Sequence, residues 1–535
     1  MTTTTARPEA LQSSFIRDFS VPMPSWVARR PEWLRMGAVL AVLMLISLWI
    51  RADFISDQFW MDEAITVGIS SHSLGSIPGI LRQDGSPPLF YILLHFWMQM
   101  VGNSQIATHW LSEIFGVLTI PVSYWAGKSL YGTRAGWISA ILFTVNGFLD
   151  YYAVETRMYE MMALLGLLAT IGFIQGFALR RRKYVILFSG SLALMFYTHA
   201  WAIYFSAGSV LSLVVLYLVS DDDTRQGLIK DALLAYVAAV VLFLPWLPNF
   251  IFQMIHTAAP WDNKPRFGAL IQISQNVLGG VAISVALVFT AGIGYANLTT
   301  KRLRRSPEAR IALMLLCLIV FTFMVAWIGS QITPSWVVRY FAPVVPAILL
   351  LLGFGMSRAG VLSAIVIIFT LIFMARPHAF IPNYKSNMQD ISGELSGYLH
   401  PGDLVIVGQP EETPLAYYYL PGGLRWANTM GPVKDPSYMD WVNALSRYRA
   451  ANPNKIVPKL LSTVKVGQEI LYIRSLTEGE INWKAPWTTE IQDRSAQWGR
   501  ILQDDKQLVP VASAPAYYPG SCCVANSAVL YKKVS

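Results

Sequence analysis

The chain has 535 residues, 54% of them hydrophobic and only 14% charged, against about 25% charged residues in ordinary soluble proteins. This composition indicates an integral membrane protein. The formal net charge is +9, but the basic residues stand in short clusters between apolar segments, as topology signals do, and this pattern excludes nucleic-acid binding. The three cysteines are too few for a disulfide framework.

The cysteines and the N-terminal segment indicate neither a metal site nor a cleaved leader. Cys317 lies in an apolar run, where a small core residue is expected. Cys522 and Cys523 are adjacent and far from any CxxC pair or histidine cluster. Residues 1–35 are polar and have no early apolar core, so we interpret them as a cytoplasmic segment that is not a signal peptide.

Two adjacent carboxylates follow the first predicted span. This span runs from Met36 to Ile50, and the basic residues before it place the N-terminus in the cytoplasm. Asp62 and Glu63 then lie outside. Because a carboxylate is costly at the bilayer centre, the pair is predicted to face an aqueous cavity. The alternative is that both acids only cap a surface helix, since acids suit its first turn.

The apolar segment 87–102 is too short to be the second span. As a helix it reaches about 21 to 24 Å, less than the ~30 Å hydrocarbon core, so we interpret it as a helix at the outer interface. Basic residues at 128–134, 180–183 and 301–305 then fall in the cytoplasm, as the positive-inside rule requires.

The apolar runs predict eleven spans in all, an odd number that places the C-terminus on the same side as Asp62. After the first, they are 106–127, 135–152, 158–179, 184–199, 201–219, 231–250, 270–297, 308–328, 338–356 and 359–375. From Arg376 the composition becomes polar, with strand-like runs at 404–407 and 470–473 and helical spacing at 386–399. We therefore predict a membrane domain, 36–375, and a small extracytoplasmic α/β domain, 376–535; the alternative for the latter is a loosely structured tail.

Several predicted outer connections carry polar residues that a helix bundle does not need for packing. They are Asp84, Glu155, Arg157, Tyr159, His199, Arg339 and Tyr340. The two arginines suit an anionic group, because guanidinium matches phosphate with paired donors; the alternative is that they are interface arginines that snorkel. Glu155 can orient Arg157 or take part in chemistry, and His199 is either structural or a substrate contact.

Five motifs in fixed order carry a resemblance to a known family. They are Asp-Glu-Ala at 62–64, Pro-Pro-Leu-Phe-Tyr at 87–91, Leu-Tyr-Gly-Thr-Arg-Ala-Gly at 130–136, Glu-Thr-Arg-Met-Tyr at 155–159 and Arg-Tyr-x-x-Pro at 339–343. The set resembles the type C membrane glycosyltransferases, in the bacterial branch similar to the protein O-mannosyltransferase and aminoarabinose transferase families. It covers about residues 36–375. Many relatives have histidine where this chain has Ser86.

The resemblance implies transfer of a sugar, mannose or another, from a polyprenyl-phosphate donor to a hydroxyl of a glycan, lipid or protein acceptor. The reaction would take place at the outer face of the bacterial plasma membrane. Asp62 and Glu63 are the implied catalytic residues, with Asp62 as general base; a single base and direct displacement imply inversion. Two acids could bind a divalent cation, but no ligand set of recognisable spacing accompanies them, so no metal or other cofactor is predicted.

Two other classes of protein compete with the enzyme. A transporter or flippase for a lipid-linked or anionic substrate is the main one, but transporters usually place their polar residues near the bilayer midplane, on broken helices or in internal repeats. Here the polar residues gather at one face and no repeat is visible. A sensor or assembly scaffold that binds through the C-terminal domain is the third candidate.

Overall fold

The computed structural model describes residues 31–257, 262–296, 306–374, 385–476, 485–514 and 525–535. Four sequence-based predictions concern residues outside these ranges. They are most of the N-terminal segment 1–35, the basic cluster 301–305, the domain boundary at Arg376, and the cysteines Cys522 and Cys523.

The chain up to residue 374 is helical, and its first half carries the predicted acidic pair. Its helices are α1 (Glu32–Arg51), α2 (Met61–Ser70), α3 (Ile77–Asp84), α4 (Leu89–Val101), α5 (Gln105–Tyr131), α6 (Thr133–Thr144), α7 (Gly147–Ala153) and α8 (Tyr159–Phe173), which a π-helical turn extends to Ala178. The predicted interfacial helix is present as α4, and its 13 residues span only about 20 Å.

The second half of the helical region continues in the same way. Its helices are α9 (Lys183–Thr198), α10 (Ala202–Val219), α11 (Asp222–Phe243), α12 (Leu247–His256), α13 (Ala269–Leu278), α14 (Val281–Tyr295), α15 (Pro307–Ile332), α16 (Val345–Ser357) and α17 (Val361–Met374). Among the described residues, five helices are long and apolar enough to cross a membrane, or six with a bent pair counted as one. The count of eleven spans and their orientation stay predictions.

Four segments predicted as spans contain a break in the helix, and three of the breaks have a local cause. Segment 135–152 divides where Asn146 caps α7 by accepting a hydrogen bond from the Leu149 amide. Pro245 follows α11, and proline cannot donate to a continuing helix. Gly279 and Gly280, both at positive φ, separate α13 from α14, which meet at 87°. The last break precedes α16, where residues 338–341 form only a 3₁₀ turn.

Helix α8 is the buried centre of the helical region. In its most apolar stretch of 18 residues, 89% of the residues are buried inside the protein. It packs closely on the segment before α16: a Cβ on Gly166 would lie 2.2 Å from the Pro343 carbonyl oxygen. Only a residue without a side chain permits this approach. The contact therefore holds the segment that contains Arg339 against α8.

The C-terminal region, residues 385–535, contains a six-stranded sheet with helices against it. Its elements are α18 (Met388–Leu395), β1 (Leu404–Val407), α19 (Thr413–Tyr419), β2 (Arg425–Asn428), β3 (Gly431–Val433), α20 (Ala444–Ala450), α21 (Pro453–Leu461), β4 (Glu469–Leu476), α22 (Pro486–Asp504), β5 (Leu508–Ala514) and β6 (Ala525–Lys533). The strand order is β3-β2-β1-β4-β6-β5. Both predicted strand-like runs are strands, in β1 and β4, and β1 pairs parallel with β2 and β4.

The C-terminal region packs on the segment that contains α2 and α3. A Cβ on Gly68 of α2 would lie 1.8 Å from the Ser437 carbonyl oxygen, so the two backbones touch. The Trp441 amide donates to the Gln83 carbonyl at 3.0 Å, and the Asn443 amide to the His256 carbonyl at 2.8 Å. The acidic pair at the start of α2 therefore lies between the helical region and the sheet.

The predicted topology can be tested by labelling. Single cysteines at Arg182 and at His256 should react with a membrane-impermeant maleimide from opposite sides, Arg182 from the cytoplasm and His256 from outside, because the basic cluster at 180–183 follows the positive-inside rule. Labelling of intact and of permeabilised cells measures the difference. Reaction of the cysteine at position 182 with the maleimide in intact cells would contradict the predicted topology.

Candidate active site

Asp62 stands in the first turn of α2, opposite two arginines from distant segments. Its Oδ2 lies 3.8 Å from Nη2 of Arg157 and 3.5 Å from Nη2 of Arg339. The Asp62 side chain remains 22% exposed. We call these three residues the carboxylate–arginine site. The sequence placed them on three different connections, and the fold brings their charged groups together.

Arg157 is oriented by neighbours from α2 and α4. Its Nη1 donates to Oγ1 of Thr66 at 2.6 Å and lies 3.4 Å from the Tyr91 hydroxyl. The backbone of Arg157 is held as well, since Ser112 Oγ donates to its carbonyl at 3.0 Å. The guanidinium Nε is buried and has no hydrogen-bond partner among the described residues. Arg157 therefore keeps a donor for a further group.

Aromatic rings surround the arginines. The guanidinium carbon of Arg339 lies 5.2 Å from the Trp60 ring centroid and 5.4 Å from that of Tyr340, distances at which a ring face attracts a cation. The Tyr340 ring lies 4.7 Å from that of His199, and the Tyr159 ring 6.1 Å from it. The structure thus brings Tyr159, His199 and Tyr340 to the same place as the arginines.

Glu63 occupies an environment that differs completely from that of its neighbour Asp62. Its side chain is fully buried, and it accepts a hydrogen bond from the Thr156 amide at 2.7 Å. Nζ of Lys385 lies 3.2 Å from Oε2, and Nε2 of His109 lies 2.7 Å from Oε1. Burial by itself raises the pKa of Glu63, but the charges of Lys385 and His109 outweigh burial and lower it to about 2.

Lys385 and His109 are the residues that sequence reasoning missed. Lys385 is buried, and its ammonium also donates to the Val154 carbonyl at 2.5 Å. Nothing in the local sequence distinguishes it from the other polar residues that surround it. His109 carried a weak signal, since it is a titratable side chain inside an apolar run.

The remaining predicted acids lie around the carboxylate–arginine site. Glu155 is buried, its Oε2 has no partner among the described residues, and burial together with the negative charge of Glu63 raises its pKa to about 8. Among the described residues, Arg157 contacts Asp62 and Thr66 and forms no ion pair with Glu155. Burial raises the pKa of Asp84 to about 6, against the opposing hydrogen bonds from Ser86.

Metal-binding geometry does not occur at this site in the described part of the chain. Among the described residues, three potential metal ligands come together elsewhere, in the C-terminal region. They are His400, Asp403 and Glu469, whose ligand atoms lie within 4.8 Å of one another. These residues stand at the amino ends of β1 and β4. The carboxylate–arginine site can instead hold an anion on its guanidinium groups and a proton on Asp62.

Comparison with known proteins finds a family model that matches part of the chain and solved structures with a similar fold. Residues 85–252 match the family model for dolichyl-phosphate-mannose-protein mannosyltransferase. The structure is similar to that of ArnT from Cupriavidus metallidurans bound to undecaprenyl phosphate, with a TM-score of 0.58 and 16% identity over 93% of this chain and 98% of that one. No curated protein matches the sequence.

A second similar structure is the oligosaccharyltransferase of Archaeoglobus fulgidus in its apo form. Its TM-score is 0.55 and its identity 13%, over 86% of this chain and 72% of that one. At such identities the likeness concerns the fold. The resemblance to type C membrane glycosyltransferases, predicted from the motifs, is therefore confirmed.

The buried ion pair between Glu63 and Lys385 can be tested by stability. Lys385→Met leaves a buried carboxylate without its ammonium, and breaking a buried pair costs about 3–5 kcal/mol. We expect a clear fall in the apparent unfolding temperature of the detergent-solubilised protein, measured by scanning fluorimetry. The double variant, Glu63→Gln with Lys385→Met, should recover much of the lost unfolding temperature, because it leaves no buried charge without a partner.

The control is Lys465→Met, which removes an exposed ammonium of the C-terminal region and should change the unfolding temperature little. If the double variant is no more stable than Lys385→Met alone, the two residues are not energetically coupled.

Proposed function

We propose that this chain is a glycosyltransferase that moves a sugar from a polyprenyl-phosphate donor to an acceptor hydroxyl at the outer face of a bacterial plasma membrane. The observation that carries the proposal is the Asp62 carboxylate between the guanidinium groups of Arg157 and Arg339. A base beside two phosphate-matching cations suits a donor with a phosphate leaving group. The ArnT structure holds undecaprenyl phosphate, which supports this class of carrier.

The two arginines bind the donor phosphate. Asp62 is the anion that faces them in the structure, and an incoming phosphate can take over these contacts with its own oxygens. Two guanidinium groups stabilise the charge that develops on the phosphate as its bond to the sugar breaks. The ring faces of Trp60 and Tyr340 hold the Arg339 side chain in position for this contact.

Asp62 acts as the general base in a direct displacement. The acceptor oxygen forms a bond to the anomeric carbon, the bond from that carbon to the phosphate oxygen breaks, and the hydroxyl proton passes to Asp62. The polyprenyl phosphate leaves as an anion on Arg157 and Arg339, so no strong acid is required opposite the base. Attack from the side away from the phosphate inverts the anomeric centre.

Glu63 serves the reaction through position, in our proposal. A buried carboxylate engaged by Lys385, His109 and the Thr156 amide has no route to an acceptor hydroxyl. It instead fixes the first turn of α2, and with it the direction of Asp62. The other predicted site residues, Asp84, Glu155, Tyr159, His199 and Tyr340, are proposed to line the donor pocket.

An assay with purified protein in nanodiscs separates this function from transport. A panel of labelled undecaprenyl-phosphate sugars, offered with extracts of membrane glycans and lipids, should show cleavage of the sugar-phosphate bond and labelled product. A transporter or flippase would bind or move the lipid without cleaving it. Binding without bond cleavage across the panel would exclude the glycosyltransferase.

Asp62→Asn is the decisive variant for the chemistry. The amide keeps the size of the side chain but cannot accept the proton, so turnover should fall by on the order of 10²-fold or more with binding of undecaprenyl phosphate largely kept. Asp53→Asn is the control, since Asp53 is exposed and follows α1 in the same connection. Turnover of Asp62→Asn equal to that of the control would remove Asp62 from the chemistry.

Arg339 tests the phosphate contact separately. Arg339→Ala should weaken binding of undecaprenyl phosphate by about tenfold or more, the effect of losing a charged hydrogen bond. Arg339→Lys should recover only part of it, because lysine offers a point charge without a paired fork. Arg82→Ala is a matched control: Arg82 is an exposed arginine on α3 that lies over the Phe252 ring. Unchanged affinity in both Arg339 variants would make Arg339 a surface anchor.

A further inference from the structure

A second group of charged side chains lies inside the helical region, and the proposed reaction uses none of them. Arg51 is the last residue of α1, Glu113 lies on α5, Asp150 on α7 and Glu160 in the first turn of α8. Each of the four residues is at most 1% exposed. We call them the Arg51 cluster. Ionisable residues that a membrane protein buries among its helices are rare and usually have a function.

Arg51 joins three helices through its guanidinium group. Its Nε donates to Asp150 Oδ1 at 2.9 Å, and its Nη1 donates to the two Glu113 oxygens at 3.2 and 3.3 Å. A planar guanidinium can serve two acids at once, because its donors point in fixed, different directions. The cluster therefore has one cation for two paired carboxylates before Glu160 is considered.

Glu160 is the acid that no donor reaches. Both of its carboxylate oxygens are buried, and neither has a hydrogen-bond partner among the described residues. Its Oε2 points into the cluster, since a Cβ on Gly116 would lie 3.2 Å from this oxygen and 2.8 Å from Nη1 of Arg51. The charges of Arg51, Glu113 and Asp150 all act on Glu160. An ionised carboxylate inside a protein is normally paired and hydrogen-bonded, and Glu160 accepts no hydrogen bond from the described chain.

We propose that Glu160 holds a proton and that the Arg51 cluster, with this neutral acid in it, positions Arg157. A proton fits a sealed group of oxygens, because it needs no cavity and removes one negative charge from a cluster with a single cation. A metal ion fits less well, since the three carboxylates of the cluster do not form a described group whose ligand atoms lie within 4.8 Å of one another. The proton is independent of the proposed glycosyl transfer, whereas positioning Arg157 for the donor phosphate rests on it.

The cluster fixes the connection on which Arg157 stands. This connection joins α7 to α8, and Asp150 lies in the helix before it. On α5, the Ser112 hydroxyl donates to the Arg157 carbonyl at 3.0 Å, and the next residue, Glu113, binds Arg51. By holding Glu113 and Asp150 together, Arg51 sets the distance between α5 and the connection.

A proton on Glu160 permits the close packing of the helices around the cluster. A Cβ on Gly116 of α5 would lie 3.2 Å both from Glu160 Oε2 on α8 and from the Ala153 Cβ on α7, so three helices meet at this glycine. An ionised Glu160 would add a third negative charge beside Glu113 and Asp150, and like charges at this distance repel. A neutral carboxyl group lets the helices approach.

Infrared difference spectroscopy of the full chain in nanodiscs tests the proton. Protonated and ionised carboxyl groups absorb at different frequencies, so a parent-minus-variant spectrum shows which form the substitution removes. Glu160→Gln should remove the carbonyl band of a protonated acid at neutral pH. Glu32→Gln is the control, because the Glu32 side chain is 77% exposed and its substitution should remove a carboxylate band. Loss of a carboxylate band in Glu160→Gln as well would overturn the proton.

Binding of undecaprenyl phosphate to the same nanodiscs tests the positioning of Arg157. Gly116→Ala inserts a methyl group between Arg51 and Glu160, and Arg51→Lys replaces the fork that serves two acids with a point charge. Each variant should weaken the binding by about tenfold, the effect of displacing one charged hydrogen bond. Gly190→Ala is the control for the added methyl group, since a Cβ there meets no atom within 4 Å, and it should bind like the parent.

The same two substitutions are then made in the Arg157→Ala background. If the cluster acts through Arg157, Gly116→Ala and Arg51→Lys should cause little further loss of affinity there, because the contact that they displace is already absent. An equal loss in both backgrounds, or no loss in the parent background, would overturn the positioning role. If the parent does not bind undecaprenyl phosphate, the proposed function fails and the positioning role with it, whereas the infrared spectrum decides the proton on Glu160 by itself.

Discussion

Glu63 and Lys385, 322 residues apart in the chain, form an ion pair from which water is excluded. Removing one partner of such a pair leaves an uncompensated buried charge, which is among the costliest local changes in a folded protein. The start of α2 and the start of the C-terminal region therefore depend on each other. His109 and the Thr156 amide complete the set of groups around the same carboxylate, so four segments meet there.

The ion pair determines where the adjacent carboxylate points. Residues that follow one another on a helix are about 100° apart around its axis, so a buried Glu63 directs Asp62 toward the less buried side of α2. There Asp62 faces Arg157, whose own backbone is next to the Thr156 amide that Glu63 holds. One buried carboxylate thus sets the distance between the exposed carboxylate and an arginine. The two acids of one motif therefore have different environments, Asp62 partly exposed beside arginines and Glu63 fully buried beside Lys385.

The site is assembled from helix ends. Asp62 begins α2, Asp84 ends α3, Arg157 lies between α7 and α8, and Arg339 lies in the turn before α16. Polar groups at helix ends are available for other partners, whereas the backbone groups inside a helix are already paired. The breaks at Asn146 and before Val345 shorten the neighbouring helices and create two of these ends. The same breaks, which fall inside two of the predicted spans, supply polar connections of the site.

The sequence by itself determined the class of the protein, the existence and length of α4, two strands of the sheet and the identity of the polar candidates. Each of these depends on local information: composition, the period of apolar residues, or a short motif such as Glu-Thr-Arg-Met-Tyr. Tertiary structure alone decided that Asp62 and Glu63 differ, that Lys385 and His109 belong beside them, and that Arg51 meets buried acids of other helices. These relations join residues tens to hundreds of positions apart, and no local pattern records them, because they arise only when packed helices and a docked sheet exclude water from shared charges.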